Sequence, residues 1–224
     1  MADHLKSYFE FIGLPGSGKS FYSHAVADAL RAEGYIITEP SWKLDNATNK
    51  YIRGVKKAWI AFCYSVMNKR ISFAINSLIA DCGYSGSEAI KLWRNILYKA
   101  DFLSRKKDQI IFFDEGFAQI AVSLSMGKFL PADIIFSRLI SILSISNIVN
   151  IIKIECTIDA AIKNMSARKS KDSRVEKIVD AKEKKDYLEN FMNGCNSIRP
   201  SLVVPMESSI VLSKVVEFVK NTEK

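Results

Sequence analysis

The feature that most constrains the fold is a glycine-rich segment at residues 13–20, which reads Gly-Leu-Pro-Gly-Ser-Gly-Lys-Ser. This G-x-x-x-x-G-K-S spacing is the phosphate-binding P-loop pattern. The apolar run at 8–12 predicts a buried strand before it, and 21–33 follows with apolar residues at helical spacing. A strand, a glycine loop and a helix N-terminus together direct backbone N–H groups and the positive end of a helix dipole at one anion. The segment therefore predicts a binding site for a di- or triphosphate.

Individual roles follow from this geometry. Glycines leave room for close approach of the backbone and permit positive φ angles. Lys19 is predicted to reach the β- and γ-phosphates, and the Ser20 hydroxyl to complete a Mg²⁺ shell. A chance glycine turn that caps a helix is the alternative, and the flanking elements argue against it. The predicted cofactors are ATP and Mg²⁺, and the predicted nucleotide-binding residues are Gly13, Pro15, Gly16, Ser17, Gly18, Lys19, Ser20 and Phe21.

A second motif lies about ninety residues further along the chain. Residues 109–113, Gln-Ile-Ile-Phe-Phe, predict a buried strand, and Asp114-Glu115-Gly116 follows it. Apolar residues followed by an acid form the Walker B pattern, in which a carboxylate beside the P-loop holds the magnesium shell. Asp114 is predicted to bind the metal with Ser20. Glu115 is the candidate general base for the incoming nucleophile, and a helix-capping carboxylate is the alternative.

Two further segments are candidates for contacts with the transferred group and its acceptor. Glu39 and Trp42 follow the short strand at 35–38, at the sheet edge where ligands bind, although Trp42 could equally anchor its loop. The basic, polar stretch at 168–174 predicts a lid over 166–176 whose cations would stabilise the transition state. Its candidate catalytic residues are Arg168 and Arg174, and a solvated loop is the alternative.

Residues 46–107 are predicted to be almost entirely helical. They contain an apolar stripe at helical spacing: Val55, Trp59, Phe62, Cys63 and Val66. A crossover between two strands usually contains one helix, so the excess predicts a helical subdomain on the acceptor side of the site. Its basic and aromatic side chains either line a pocket there or form a solvated face: Tyr51, Arg53, Lys56, Lys57, Arg70 and Arg94.

Composition and net charge indicate which kinds of fold and binding partner are possible. The 224 residues suit one domain, and 48% hydrophobic residues exclude global disorder. The net charge of +8 suits phosphates, nucleic acid or an acidic membrane surface. No arginine–aromatic repeat appears and the basic residues are mostly interleaved with acids, so a nucleic-acid partner is not predicted.

Apolar stretches and cysteines bear on the cellular location and the oligomeric state of the protein. The apolar stretch at 134–154 is interrupted by charged and amide side chains, so it predicts the end of a helix and a buried strand rather than a membrane span. No signal core precedes the first strand. Scattered cysteines without a C-x-x-C pair predict reduced thiols in a cytoplasmic protein, with a homodimer left open: Cys63, Cys82, Cys156 and Cys195.

With these motifs in place, the chain resembles the P-loop kinases of small molecules, in particular the thymidylate kinase-like nucleotide and nucleoside kinases. The P-loop, the Glu39-Pro40 element after strand two, Asp114 after strand three, and 157–168 leading into a basic lid occur in the order of that family. The resemblance implies an α/β, P-loop NTPase fold over 1–224: a five-stranded parallel sheet of order 2-3-1-4-5 flanked by helices, with a helical insertion and a basic lid.

The predicted function is ATP- and Mg²⁺-dependent transfer of the γ-phosphoryl group to a small acceptor such as a nucleoside, a nucleotide or a related metabolite. The family carries an arginine beside the strand-three acid, whereas this chain has Glu115 and Gly116, so the acceptor stays open. A regulatory ATPase or GTPase in which Glu115 activates water is the first alternative. A sulfotransferase-like protein is the second, and the complete P-loop with its metal-binding acid argues against it.

Overall fold

In the part of the chain that the structure describes, five strands form a single parallel sheet in the order β2-β3-β1-β4-β5. In this computed structural model the described residues are 7–40, 50–105, 109–127, 129–145, 148–167, 175, 178, 180–206 and 208–223. The sheet order confirms the one that the resemblance implies. The strands are β1 (Tyr8–Ile12), β2 (Ile37–Thr38), β3 (Ile110–Phe113), β4 (Val149–Glu155) and β5 (Leu202–Pro205).

Nine helices flank the sheet in the described parts of the chain. They are α1 (Lys19–Ala32), α2 (Lys50–Met67), α3 (Lys69–Asp81), α4 (Gly86–Arg105), α5 (Phe117–Ser125), α6 (Ala132–Leu143), α7 (Ile158–Ser166), α8 (Ala181–Ser197) and α9 (Ser208–Thr222). Three of them, α2 to α4, fall in the predicted insertion between β2 and β3. The apolar stretch at 134–154 divides, as predicted, between α6 and β4. No helix in the described ranges combines the length and apolarity needed to cross a membrane.

The central strand β1 explains the layered arrangement. Its residues alternate between two hydrophobic cores: Tyr8 and Ile12 pack on one face of the sheet, and Phe9 and Phe11 on the other. The first face is covered by the insertion with α5, α6 and α8, and the second by α1 and α9. Because both faces are covered, the strand is buried along its whole length, as a central parallel strand should be.

One charged residue interrupts this buried strand. The Glu10 carboxylate accepts N–H groups from Phe117, Ala118 and Gln119 at 2.7, 2.7 and 3.2 Å, and the Tyr8 hydroxyl donates to it. Burial raises the pKa of the Glu10 carboxyl, while these four hydrogen bonds lower it. The three N–H groups belong to the first turn of α5, where a helix has no internal acceptors. Glu10 therefore fastens the start of α5 to the strand that leads into the P-loop.

We expect Glu10→Ala to lower the free energy of unfolding by about 3 kcal/mol, because it leaves buried donors of β1 and α5 without an acceptor. Urea denaturation followed by circular dichroism measures the change. Glu217→Ala is the matched control: that residue is exposed on α9, and its removal should change stability by less than about 0.5 kcal/mol. Equal effects of the two substitutions would show that Glu10 does not hold α5.

Candidate nucleotide-binding site

The carboxyl ends of the parallel strands meet at one edge of the sheet, where ligands bind in α/β folds. The P-loop follows β1 at this edge, Glu39 follows β2, and Asp114 follows β3. The residues after β1 and β3 are brought together because these strands are hydrogen-bonded neighbours. The order of the sheet therefore produces the site from segments that are far apart in the chain.

Two glycines of the P-loop stand in positions that other residues would not tolerate. Gly16 has φ +89°, and a Cβ there would lie 2.4 Å from the carbonyl oxygen of Ala161. Gly18 has φ +83° and precedes the first residue of α1. Its lack of a side chain leaves the first N–H groups of α1 without a capping oxygen, so they are directed at the space in front of the loop. This geometry suits an anion.

The side chains of the loop extend this arrangement. The Lys19 ammonium is buried against the loop and donates to the carbonyl oxygens of Gly13 and Leu14, at 2.9 and 3.0 Å. The buried Ser17 hydroxyl has no hydrogen-bond partner among the described residues. A buried polar group without a partner is costly. The loop thus offers a cation and a spare hydroxyl beside the helix N-terminus, which fits a bound polyphosphate.

The residues predicted to bind Mg²⁺ are in direct contact. The Ser20 hydroxyl donates to Asp114 Oδ2 at 2.8 Å across 94 residues of sequence. Both groups are accessible, since Ser20 is exposed and Asp114 is half-buried. A hydroxyl and a carboxylate oxygen are hard ligands of the kind that Mg²⁺ prefers. The pair therefore fits a magnesium ion shared with phosphate oxygens.

Two amide side chains that the sequence analysis did not identify support the loop. Gln119 on α5 forms two hydrogen bonds with the backbone of Gly13, one in each direction, both at 3.3 Å. Asn164 on α7 donates to the carbonyl oxygen of Gly16 at 3.0 Å. Gln119 is the one amide in a helix that otherwise contains apolar residues and two serines, which is a usable signal, whereas nothing in the sequence distinguishes Asn164.

Lys99 is a further charged residue at the site that the motifs did not reveal. This α4 residue is buried, lies 4.6 Å from the ring centre of Phe113, and donates to the backbone carbonyl of Glu115. Burial lowers the pKa of the Lys99 ammonium, and the negative charges of Asp114 and Glu115 raise it. The insertion therefore supplies a cation that holds the turn after β3, and the Glu115 side chain stays exposed.

Glu39 has protein partners at the edge of the sheet. Its buried carboxylate accepts from Arg31 Nη2 at 2.6 Å and lies 3.2 Å from His24 Nδ1. Asp28 lies 3.3 Å from His24 Nε2 and 2.8 Å from Arg31 Nη1. The two carboxylates and His24 have the spacing of metal ligands, but Arg31 already contacts both carboxylates with its positive charge. Contact between Glu39 and an acceptor stays a prediction.

The remaining predicted site residues divide into two groups. Pro15 lies half-buried within the loop, and Phe21 lies exposed in the first turn of α1. Trp42 and the two lid arginines, Arg168 and Arg174, lie outside the described residues. Their roles at the acceptor and over the transferred phosphate stay predictions.

A cavity of about 520 Å³ adjoins the P-loop on the side of β4. Leu14, Cys156, Met192 and Cys195 line it, and burial raises the pKa of the Cys195 thiol to about 12. Its volume lies in the range of small-molecule pockets. The candidate site thus adjoins a partly open cavity large enough for part of a ligand.

Comparison with models of protein families finds no match, and no curated protein matches the chain. Among solved structures, the chain is similar to the crystal structure of APE1195, with 18% identity, a TM-score of 0.43, and coverage of 99% of this chain and 98% of that chain. It is also similar to a gluconokinase from Sinorhizobium meliloti 1021, with 11% identity, a TM-score of 0.45, and coverage of 99% of each chain. With scores this low, the fold assignment depends on the sheet order and the loop after β1.

Gly16 and Gly34 have similar φ angles but different surroundings, so alanine substitutions at the two positions distinguish steric crowding from backbone strain. Gly16 (φ +89°) is crowded by Ala161, whereas Gly34 (φ +93°) has open space where a Cβ would lie. Both alanine variants should lose about 1 kcal/mol of stability from the left-handed backbone. Gly16→Ala should lose about 1–3 kcal/mol more and weaken nucleotide binding, because the loop must move away from α7. Thermal unfolding and ATP titration test this, and equal behaviour of the two variants would contradict the described loop.

Proposed function

We propose that the protein is an ATP- and Mg²⁺-dependent phosphotransferase that moves the γ-phosphoryl group to a small acceptor. The observation that carries this proposal is the 2.8 Å hydrogen bond from the Ser20 hydroxyl to Asp114 Oδ2. It joins the P-loop to the acid after β3, so that the two predicted metal ligands form one site. Lys19, on the same loop, adds the cation that phosphates require.

In this proposal Ser20 and Asp114 hold Mg²⁺, which neutralises charge on the β- and γ-phosphates when it is bound. The loop amides and Lys19 position the phosphate chain. Glu115, whose carboxylate is exposed, orients the acceptor hydroxyl and takes its proton. The acceptor oxygen forms a bond to the γ-phosphorus, the bond from that phosphorus to the bridging oxygen breaks, and ADP leaves with the freed electron pair.

The inner side of α2 supports transfer to an acceptor held beneath the insertion. Arg53 and Lys57 are half-buried there. Lys57 lies 5.3 Å from the ring centre of Tyr98, and its charge contributes to the lowered pKa of Lys99. Lys57 therefore lies near Lys99, which contacts the turn that carries Asp114 and Glu115. These cations would attract an anionic acceptor or stabilise the transferring phosphoryl group.

A nucleoside triphosphate hydrolase is the second candidate. The observation that favours it is the exposure of the Glu115 side chain, since a carboxylate in contact with solvent can orient a water molecule as readily as a hydroxyl. The half-buried bases on the inner side of α2 favour the transferase, because a hydrolase needs no acceptor site.

A transfer assay with radiolabelled ATP tests the proposal against this rival. The purified chain is incubated with Mg²⁺ and a panel of nucleosides, nucleotides and sugars. We expect label to appear on one class of acceptor and ATP consumption to rise when that acceptor is present. Hydrolysis that no acceptor stimulates would favour the hydrolase. Binding of ATP without transfer or hydrolysis would contradict both enzymatic functions.

Two substitutions test the residues of the site by calorimetric ATP titration. Lys19→Ala should abolish detectable binding, because the phosphates lose their buried cation. Asp114→Asn should weaken binding about tenfold or more with Mg²⁺, because a carboxylate that holds the metal is lost, and should change little in EDTA. Asp133→Asn, which removes an exposed carboxylate on α6, is the matched control and should bind as the unmodified chain does. An unchanged affinity in Lys19→Ala would refute the site.

A further inference from the structure

Four of the five residues in the apolar stripe predicted on α2 face solvent in the structure, and the fifth, Cys63, is half-buried. Together with Ile52, the four exposed residues are spaced alternately three and four positions apart, and each is between 51% and 69% exposed: Ile52, Val55, Trp59, Phe62 and Val66. We call these five residues the outer face of α2. The opposite side of the helix, with Ala61 and Tyr64, is buried in the core. The helix therefore exposes to solvent an apolar face that includes two aromatic side chains, Trp59 and Phe62.

The five side chains form an apolar surface at the upper part of the range found on monomers. They expose on the order of 500 Å² of mainly apolar area, and the largest apolar patch of a typical monomer is about 300–600 Å² and often has a function. The surface also continues beyond the helix. Val66 lies at the rim of a groove of about 810 Å³ formed with Phe73, Ile90 and Trp93, of which Phe73 and Ile90 are exposed. The combined area approaches the roughly 800 Å² per partner that a stable interface buries.

The spacing of the outer face indicates that another helix covers it. Apolar residues that alternate at three and four positions form the seam of paired helices, in which each side chain fits between four residues of the facing helix. The seam is also nearly symmetric about Trp59: Ile52 and Val66 each lie seven positions from it, and Val55 and Phe62 lie four and three positions from it. A self-complementary pattern of this kind suits a twofold axis.

We propose that the outer face of α2 is the interface of a homodimer, in which the α2 helices of two copies pack antiparallel around a twofold axis at Trp59. The groove beside Val66 then receives the N-terminal end of the partner's seam. This interface is on the side of α2 opposite Arg53 and Lys57, so it does not depend on what the candidate site binds.

The distribution of basic residues along α2 favours an antiparallel over a parallel pair of helices. All the basic residues of α2 lie in its N-terminal part, 50–57, and no charged residue occurs at 58–67. An antiparallel pair places the basic part of each helix beside the uncharged part of the other, whereas a parallel pair would align like charges. Within 51–67, Lys56 is the one charged residue that is exposed. A helix that binds membrane surfaces is rich in exposed lysine and arginine, so the charges favour a second copy over a lipid surface.

Light scattering of the full chain during gel filtration tests the proposal. We expect twice the 25.2 kDa mass of one chain. Trp59→Glu and Val55→Glu should each give the single-chain mass with unchanged circular dichroism, because a buried unpaired charge disrupts the seam while both positions are exposed in one copy. Ile36→Glu is the matched control: Ile36 is 64% exposed, against 66% for Trp59, but lies outside the outer face. It should leave the dimer intact.

Three results would overturn the proposal: a single-chain mass for the unmodified protein, dimers that persist in both glutamate variants, or a loss of the dimer in Ile36→Glu as well. A single-chain protein that binds phosphatidylserine vesicles through Trp59 would identify a membrane surface instead. Oxidative cross-linking tests the orientation. In the antiparallel pair, a Val55→Cys thiol meets Cys63 of the partner subunit, whereas a parallel pair joins the two thiols at position 55. A 55–55 disulfide, or no disulfide between chains, would refute the arrangement.

Discussion

The buried carboxylate of Glu10 connects the two segments from which the candidate site is built. It lies in β1, which leads into the P-loop, and it accepts three N–H groups from the first turn of α5, which follows the acid of β3. A buried carboxylate is retained only where several donors satisfy it. Here the donors belong to the helix that also carries Gln119, so the same helix is fastened to the strand and to the loop. The distance between Ser20 and Asp114 depends on that attachment.

The sequence was sufficient for the parts of the fold that local chemistry determines. The P-loop, the acid after β3 and the strands before and after the P-loop helix follow from the sequence, because glycine spacing and apolar runs carry that information within a few residues. The supporting contacts were not predicted, because they join distant segments. Gln119 is separated by 106 residues from the glycine that it supports, and Asn164 by 148. No local pattern specifies which polar residue will reach a loop so far away in the chain.

The stripe on α2 shows a different limit of sequence interpretation. Its periodicity predicts a helix with one apolar face, and the structure contains that helix. Periodicity does not tell whether the covering surface comes from the same chain or from another one. In the structure the helix packs on the core through Ala61 and Tyr64, which are not the residues of the stripe, and two of its basic side chains, Arg53 and Lys57, are half-buried on that inner side. The insertion thus has two distinct surfaces, one suited to anions and one suited to another helix.

The proposed phosphoryl transfer requires that a nucleotide and Mg²⁺ bind together where Ser20 contacts Asp114. A crystal structure of the protein with Mg²⁺ and a non-hydrolysable ATP analogue tests this requirement most directly. We expect phosphates against the backbone N–H groups at 16–21, and a metal ion bound by the Ser20 hydroxyl with Asp114 in its shell. Phosphates bound elsewhere would contradict this expectation. So would a P-loop without bound analogue, in which Lys19 still donates to the carbonyl oxygens of Gly13 and Leu14.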